Sequence, residues 1–153
     1  MTYKECTVFS IERWSIKGFP MKKVHINPDH YLETQEGRHW TPERSKLAWE
    51  AAYSDLEKEL SKAPADAYVV FGVQGSGKST WIRNHVTESR AVYFDAALPA
   101  KKHRVKALQI AKKLAKQVTA VWIDVPLDVA MAQNSGRASD EVVPFEAVSS
   151  VYD

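Results

Sequence analysis

Apolar residues recur along the chain with two periods. Lys23-Val-His-Ile-Asn27 alternates polar and apolar positions, the period of a strand with one covered face, and Asn27-Pro28-Asp29 ends it sharply. Ala67–Phe71, Ala91–Asp95 and Thr119–Asp124 are nearly continuous apolar runs of strand length, so each predicts a strand buried on both faces. Between them the period lengthens to that of a helix. Thr41 reads as an N-cap, with Pro42 in the first turn and Glu43 behind it. Leu47, Ala51, Leu56 and Leu60, flanked by Ala48 and Ala52, draw an apolar stripe to about Ser61, and Pro64 stops that helix. A helix over 100–116 turns Val105, Leu108, Ala111 and Leu114 inward and Lys102, Lys106, Lys113 and Lys116 outward. Shorter helices are predicted from Lys78 to about Thr87, from Leu127 to about Asn134, and from Phe145 to Val151 behind Pro144. Ser135-Gly136-Arg137-Ala-Ser reads as a flexible connection, and residues 30–41 as polar loop.

Strands alternating with helices specify an α/β fold with a mostly parallel sheet of about four to five strands. In such sheets ligands lie beyond the carboxyl ends of the strands. Asp29, Gly72–Gly77, Asp95 and Asp124 all fall at those ends. The first twenty residues stand apart. Thr7–Ile11 reads as a short strand and Gly18-Phe-Pro20 as a break, so 1–20 is expected to be an extension packed at an edge and 21–153 the domain proper.

Composition narrows the class without naming it. The chain has 153 residues, 44% hydrophobic and 26% charged, enough for one well-cored domain. A net charge of +2 permits an anionic acceptor and does not demand one. Cys6 is the single cysteine, so an intrachain disulfide is excluded, and the five histidines have no zinc spacing. No apolar stretch approaches 18 residues and the N-terminus has no apolar leader core, so a cytoplasmic protein without a membrane span is expected. The lysines on 102–116 read as a solvated helix face. Trp40, Trp49 and Trp81 read as core or loop anchors.

The most specific signal is Gly72-Val-Gln-Gly-Ser-Gly-Lys78-Ser79-Thr80, which fills every fixed position of the Walker A pattern between a strand and a helix. Glycines let successive N–H groups turn inward around a phosphate, and the start of the following helix adds partial positive charge. Lys78 is expected at the β- and γ-phosphates and the Ser79 hydroxyl on Mg²⁺. ATP and Mg²⁺ are the expected ligands, held by Gly72, Val73, Gln74, Gly75, Ser76, Gly77, Lys78, Ser79 and Thr80.

Together with Asn27-Pro-Asp-His-Tyr31, Asp95-Ala-Ala-Leu-Pro, Trp122-Ile-Asp-Val-Pro126 and Gln133-Asn-Ser-Gly-Arg137, this loop resembles the kinase domain of bacteriophage-type polynucleotide kinases and zeta-toxin-like P-loop kinases. The resemblance spans roughly 21–150, in a permuted order, because the strand ending at Asn27 precedes the glycine loop instead of following it. It implies a three-layer P-loop NTPase sandwich whose strands run Val24, Tyr93, Val69, Val121 across the sheet. It also implies transfer of the γ-phosphoryl group to a hydroxyl, on a polynucleotide 5′-end or a small molecule. Asp29 matches the general base, although a plain turn aspartate after Pro28 fits the same pattern. Asp95 matches an acid near Mg²⁺, Arg137 the second arginine of the lid over Leu127–Val143, and Asn134 a nucleotide contact. Asp124, a Walker B acid on pattern alone, matches a structural turn. Four departures weaken the match. Ala96 and Ala97 replace polar residues, Gln133 replaces the first lid arginine, and Leu32 replaces the arginine that grips the acceptor's phosphate, leaving Arg38, Arg44 or Arg104 as substitutes. A nucleotide-binding module with weak or no turnover is the alternative.

Overall fold

The computed structural model describes residues 21–152, so the strand expected at Thr7–Ile11 and the extension 1–20 lie outside the described residues. In chain order the elements are β1 (Lys23–Ile26), a 3₁₀ turn (Pro28–Leu32), β2 (Glu33–Thr34), β3 (Gly37–Arg38) and α1 (Pro42–Lys62). There follow β4 (Asp66–Phe71), α2 (Lys78–Asn84), β5 (Ala91–Ala96) and α3 (Lys101–Leu114). The last are β6 (Val118–Trp122), α4 (Leu127–Ser135) and α5 (Phe145–Tyr152).

β1, β5, β4 and β6 form one parallel sheet in that spatial order, the order expected of Val24, Tyr93, Val69 and Val121. Side chains alternate between its faces. Val69, Phe71, Val92, Phe94 and Ile26 pack under α1 and α3, through Ala52, Leu56, Leu60, Ala107 and Ala111. Val70, Ala91 and Tyr93 pack under α2, through Ile82 and the half-buried Trp81. The result is a four-stranded α/β sheet with helices on both faces. None of the described helices is long and apolar enough to cross a membrane.

Several local expectations need correction. The stretch read as polar loop contains the 3₁₀ turn and the β2–β3 hairpin. Asn27 caps the turn by accepting from the Asp29 N–H at 2.9 Å, and the Tyr31 hydroxyl donates to Asp55 on α1. Polar turn chemistry, not apolar period, builds this segment, so a periodicity reading passes over it. On α3 the buried residues are Ala107 and Ala111, while Val105 is exposed; small alanines let α3 lie close to α1. Leu47 of α1 is exposed as well. β6 is an edge strand instead of a doubly covered one, and Trp122 is 65% exposed. α2 ends at Asn84, earlier than Thr87, with His85 as its C-cap.

Arg90 ties the sheet to α1 at the end away from the glycine loop. Buried to 6% exposure, it donates to Glu59 Oε2 (2.8 Å), the Glu59 carbonyl (2.7 Å), and the Met21 carbonyl (2.8 Å). Removing it takes a donor from the carbonyls of Met21, Glu59 and Ala63 and leaves the Glu59 carboxylate with Lys62 as its remaining cation. Arg90→Ala is therefore expected to lower stability by about 3 kcal/mol or more, read as a shifted urea midpoint; an unchanged midpoint would contradict this role.

Candidate active site

The turn between β4 and α2 is held by close backbone approach. A Cβ on Gly75, whose φ is +81°, would lie 2.3 Å from the Ala130 carbonyl oxygen, so α4 packs directly against the loop. A Cβ on Gly72 would lie 2.4 Å from the Ile123 carbonyl oxygen. Val73 is buried with Ala130 and Val148, which fastens the loop to α4 and α5. Ser76 Oγ and Gln74 Oε1 are buried without hydrogen-bond partners. Polar atoms buried in that way cost free energy unless something fills their hydrogen-bonding capacity.

Lys78 folds back over the loop and donates to the carbonyls of Gly72 (2.9 Å) and Val73 (3.0 Å). Burial holds its pKa below the usual lysine value, against the raising effect of the Asp95 charge. Thr80 is exposed one residue beyond Ser79.

The alternation of β5 turns Asp95 onto the α2 face, where it is fully buried. Three donors meet at its Oδ2: Ser79 Oγ and His25 Nε2 at 2.8 Å, and Asn27 Nδ2 at 3.2 Å. Oδ1 is buried and has none. Burial alone would raise this carboxyl's pKa. The His25 bond, the Lys78 charge and the Ser79 bond outweigh it and hold Asp95 below the usual range. The bond from Ser79 uses the hydroxyl's one hydrogen and leaves its lone pairs outward. Among the described residues no group of three or more His, Cys, Asp or Glu is placed to hold a metal alone. Ser79 beside an underused Asp95 fits a hard cation that brings its remaining oxygen ligands with phosphates.

Asp29 and Arg137 meet through an ionic chain. Arg38, its side chain 11% exposed, lies 3.8 Å from Asp29, 2.7 Å from Glu33 and 3.6 Å from Glu141; Glu141 in turn lies 3.8 Å from Arg137. The Arg38 N–H also donates to Asp140 at 2.6 Å. The β2–β3 hairpin is thereby joined to the segment after α4. Asn134, expected among the nucleotide contacts, bonds to backbone instead. It is buried, and its amide both donates to the Val143 carbonyl (2.8 Å) and accepts from the Val143 N–H (3.1 Å). It braces the 135–143 segment.

The three expected substitutes for an acceptor clamp are all engaged. Arg44 donates to the His39 and Leu32 carbonyls, Arg104 to those of Leu98 and Pro99, and Arg38 faces carboxylates. A cleft of about 350 Å³ opens on another flank of the loop, between Arg104 and Trp122, with Asp124 at its lining; Ser79, Asp95, Asp29 and Arg137 do not line it. His25 and Asn27 are the partners of Asp95 that sequence reasoning did not assign, and Arg38, read only as a possible acceptor clamp, is the centre of the ionic chain. The period-2 alternation of β1 placed His25 on one face, but nothing local showed that Asp95 would stand opposite.

Lys78→Ala is expected to abolish ATP binding by calorimetry while leaving the fold intact, because Lys78 bonds only to loop carbonyls and packs in no core cluster. Unchanged affinity would remove the loop from the site.

Compared with protein-family models and with curated protein sequences, the chain finds no match, so the reading of this site rests on its own geometry.

Proposed function

We propose that the chain is an ATP- and Mg²⁺-dependent phosphotransferase of P-loop kinase type, moving the γ-phosphoryl group of ATP to a hydroxyl of a polynucleotide 5′-end or a small molecule. The observation that carries this reading is the geometry of the glycine loop, where Lys78 folds over the loop carbonyls and Ser79, one residue on, bonds to the buried Asp95, whose Oδ1 has no partner. The loop from Gly72 to Thr80 holds the triphosphate with its amides, and Lys78 exchanges its two carbonyl partners for phosphate oxygens. Ser79 and Asp95 hold Mg²⁺, which when bound neutralises charge on the phosphates.

The remaining chemistry belongs to two side chains. Asp29 is half exposed at the head of the 3₁₀ turn, where an acceptor hydroxyl has access to it. As the acceptor oxygen bonds to the γ-phosphorus and the bond to ADP breaks, the hydroxyl proton passes to the Asp29 carboxylate. Arg137 supplies a second positive charge for the transferring phosphoryl group. The 3.8 Å approach of Glu141 to Arg137 is loose enough for the guanidinium to turn to phosphate.

A second reading, a nucleotide-binding module with weak or no turnover, has one specific observation behind it. The acceptor-side cations Arg38 and Arg137 both face carboxylates, and Gln133 supplies no charge. The two readings divide on turnover with pooled hydroxyl acceptors. Arg137→Ala is expected to lower turnover at least about a hundredfold while changing ATP affinity much less, and Gln133→Arg to raise it. Asp29→Asn should lower turnover about a hundredfold or more. A parent without turnover would leave only the binding-module reading, and variants that turn over like an active parent would remove Asp29 and Arg137 from the chemistry.

A further inference from the structure

We infer that His25 is a positioning residue of the magnesium subsite, holding the Asp95 carboxylate so that Oδ1 stays free for the cation or its water. The inference rests on the reading of Gly72–Thr80 and Asp95 as a nucleotide–magnesium site. It adds to that reading a residue from the edge strand β1.

Two orientations are open to a carboxylate on its own, because the terminal torsion of Asp is broad and roughly two-fold. Here the choice is made by three donors on Oδ2, against none on Oδ1. Ionised Asp95 only accepts, so His25 Nε2 carries the hydrogen of their bond. Ser79 cannot be the main anchor. It sits exposed on the first turn of α2, and its hydroxyl is the group that meets the cation. Anchoring has to come from the other side, which is β1.

His25 is placed to supply it. Parallel pairing sets His25 beside Tyr93, two residues before Asp95, on the face that looks toward α2. The imidazole is stiff, and the ring of His30 stands edge-on to it at 5.2 Å. Asn27 is the more distant partner at 3.2 Å, and its Oδ1 accepts from the Asp29 N–H. That second bond has its own consequence: Asn27 joins the Asp95 carboxylate to the turn that carries Asp29. Losing His25 would shift the load to Asn27 and disturb both acids.

A purely structural histidine would satisfy the buried carboxylate and do nothing more. The two roles separate in the Mg²⁺ dependence of nucleotide binding, which needs no turnover. ADP is titrated by calorimetry with and without Mg²⁺ into the parent, His25→Gln and His25→Phe. Phe keeps a flat ring and removes the donor; Gln restores an N–H. The expected result is that Mg²⁺ tightens ADP binding equally in the parent and His25→Gln. In His25→Phe that tightening falls by about tenfold or more, with ADP alone binding alike in all three. His25→Leu takes the place of the Phe variant if the latter does not fold. A donor-less variant that keeps the full Mg²⁺ increment, altered only in melting temperature, would overturn the positioning role. A parent whose ADP affinity ignores Mg²⁺ would overturn the underlying magnesium reading, and this inference with it.

Discussion

A carboxylate with no solvent exposure sits at the end of a strand whose six residues are all buried. Asp95 can stay ionised there only because donors from β1 and α2 converge on it, and the site depends on that requirement. The same three bonds that compensate its burial fix Ser79 at the start of α2 and draw Asn27, with the Asp29 turn behind it, to the end of the sheet. A neutral residue in its place would remove the polar centre at which β1, β5 and α2 meet beside the glycine loop.

The same logic covers the opposite wall. Arg38 gathers carboxylates from the hairpin, the 3₁₀ turn and the segment after α4, so segments without regular packing are held by charge. Each pair is partly solvated and individually weak. Around one guanidinium they share a single ordered side chain. On the proposed function this arrangement would let the segment move when a nucleotide enters, while the apolar contacts of Val73, Ala130 and Val148 keep its base in place.

Much of this was legible in the sequence, and the limits have physical causes. The strands β4 and β5 showed as apolar runs because both of their faces are covered. The place of β1 beside β5 was expected from the resemblance alone, and the sheet has that order. The glycine loop was readable from its spacing alone. What escaped was pairwise and long-range: His25 with Asp95 across 70 residues, Arg38 with Glu141, Arg90 with Glu59. β6 looked buried because Val121, Trp122 and Ile123 are apolar, yet it pairs on one side only. Composition reports what a strand tolerates, not which neighbours it receives. Asn134 shows the reverse case, a polar residue beside an expected lid that serves the backbone of that lid.

The central claim is that Ser79, Asp95, Asp29 and Arg137 surround one phosphate group. A crystal structure of the chain with Mg²⁺ and a non-hydrolysable ATP analogue tests it most directly. The expected result has the metal bonded to Ser79 Oγ at about 2.1 Å and linked to Asp95 through Oδ1. The Asp29 carboxylate and the Arg137 guanidinium should then stand on different sides of the terminal phosphate. Phosphates seated away from Gly72–Thr80, or an Asp29 carboxylate turned to the far face of the sheet from Ser79, would contradict it.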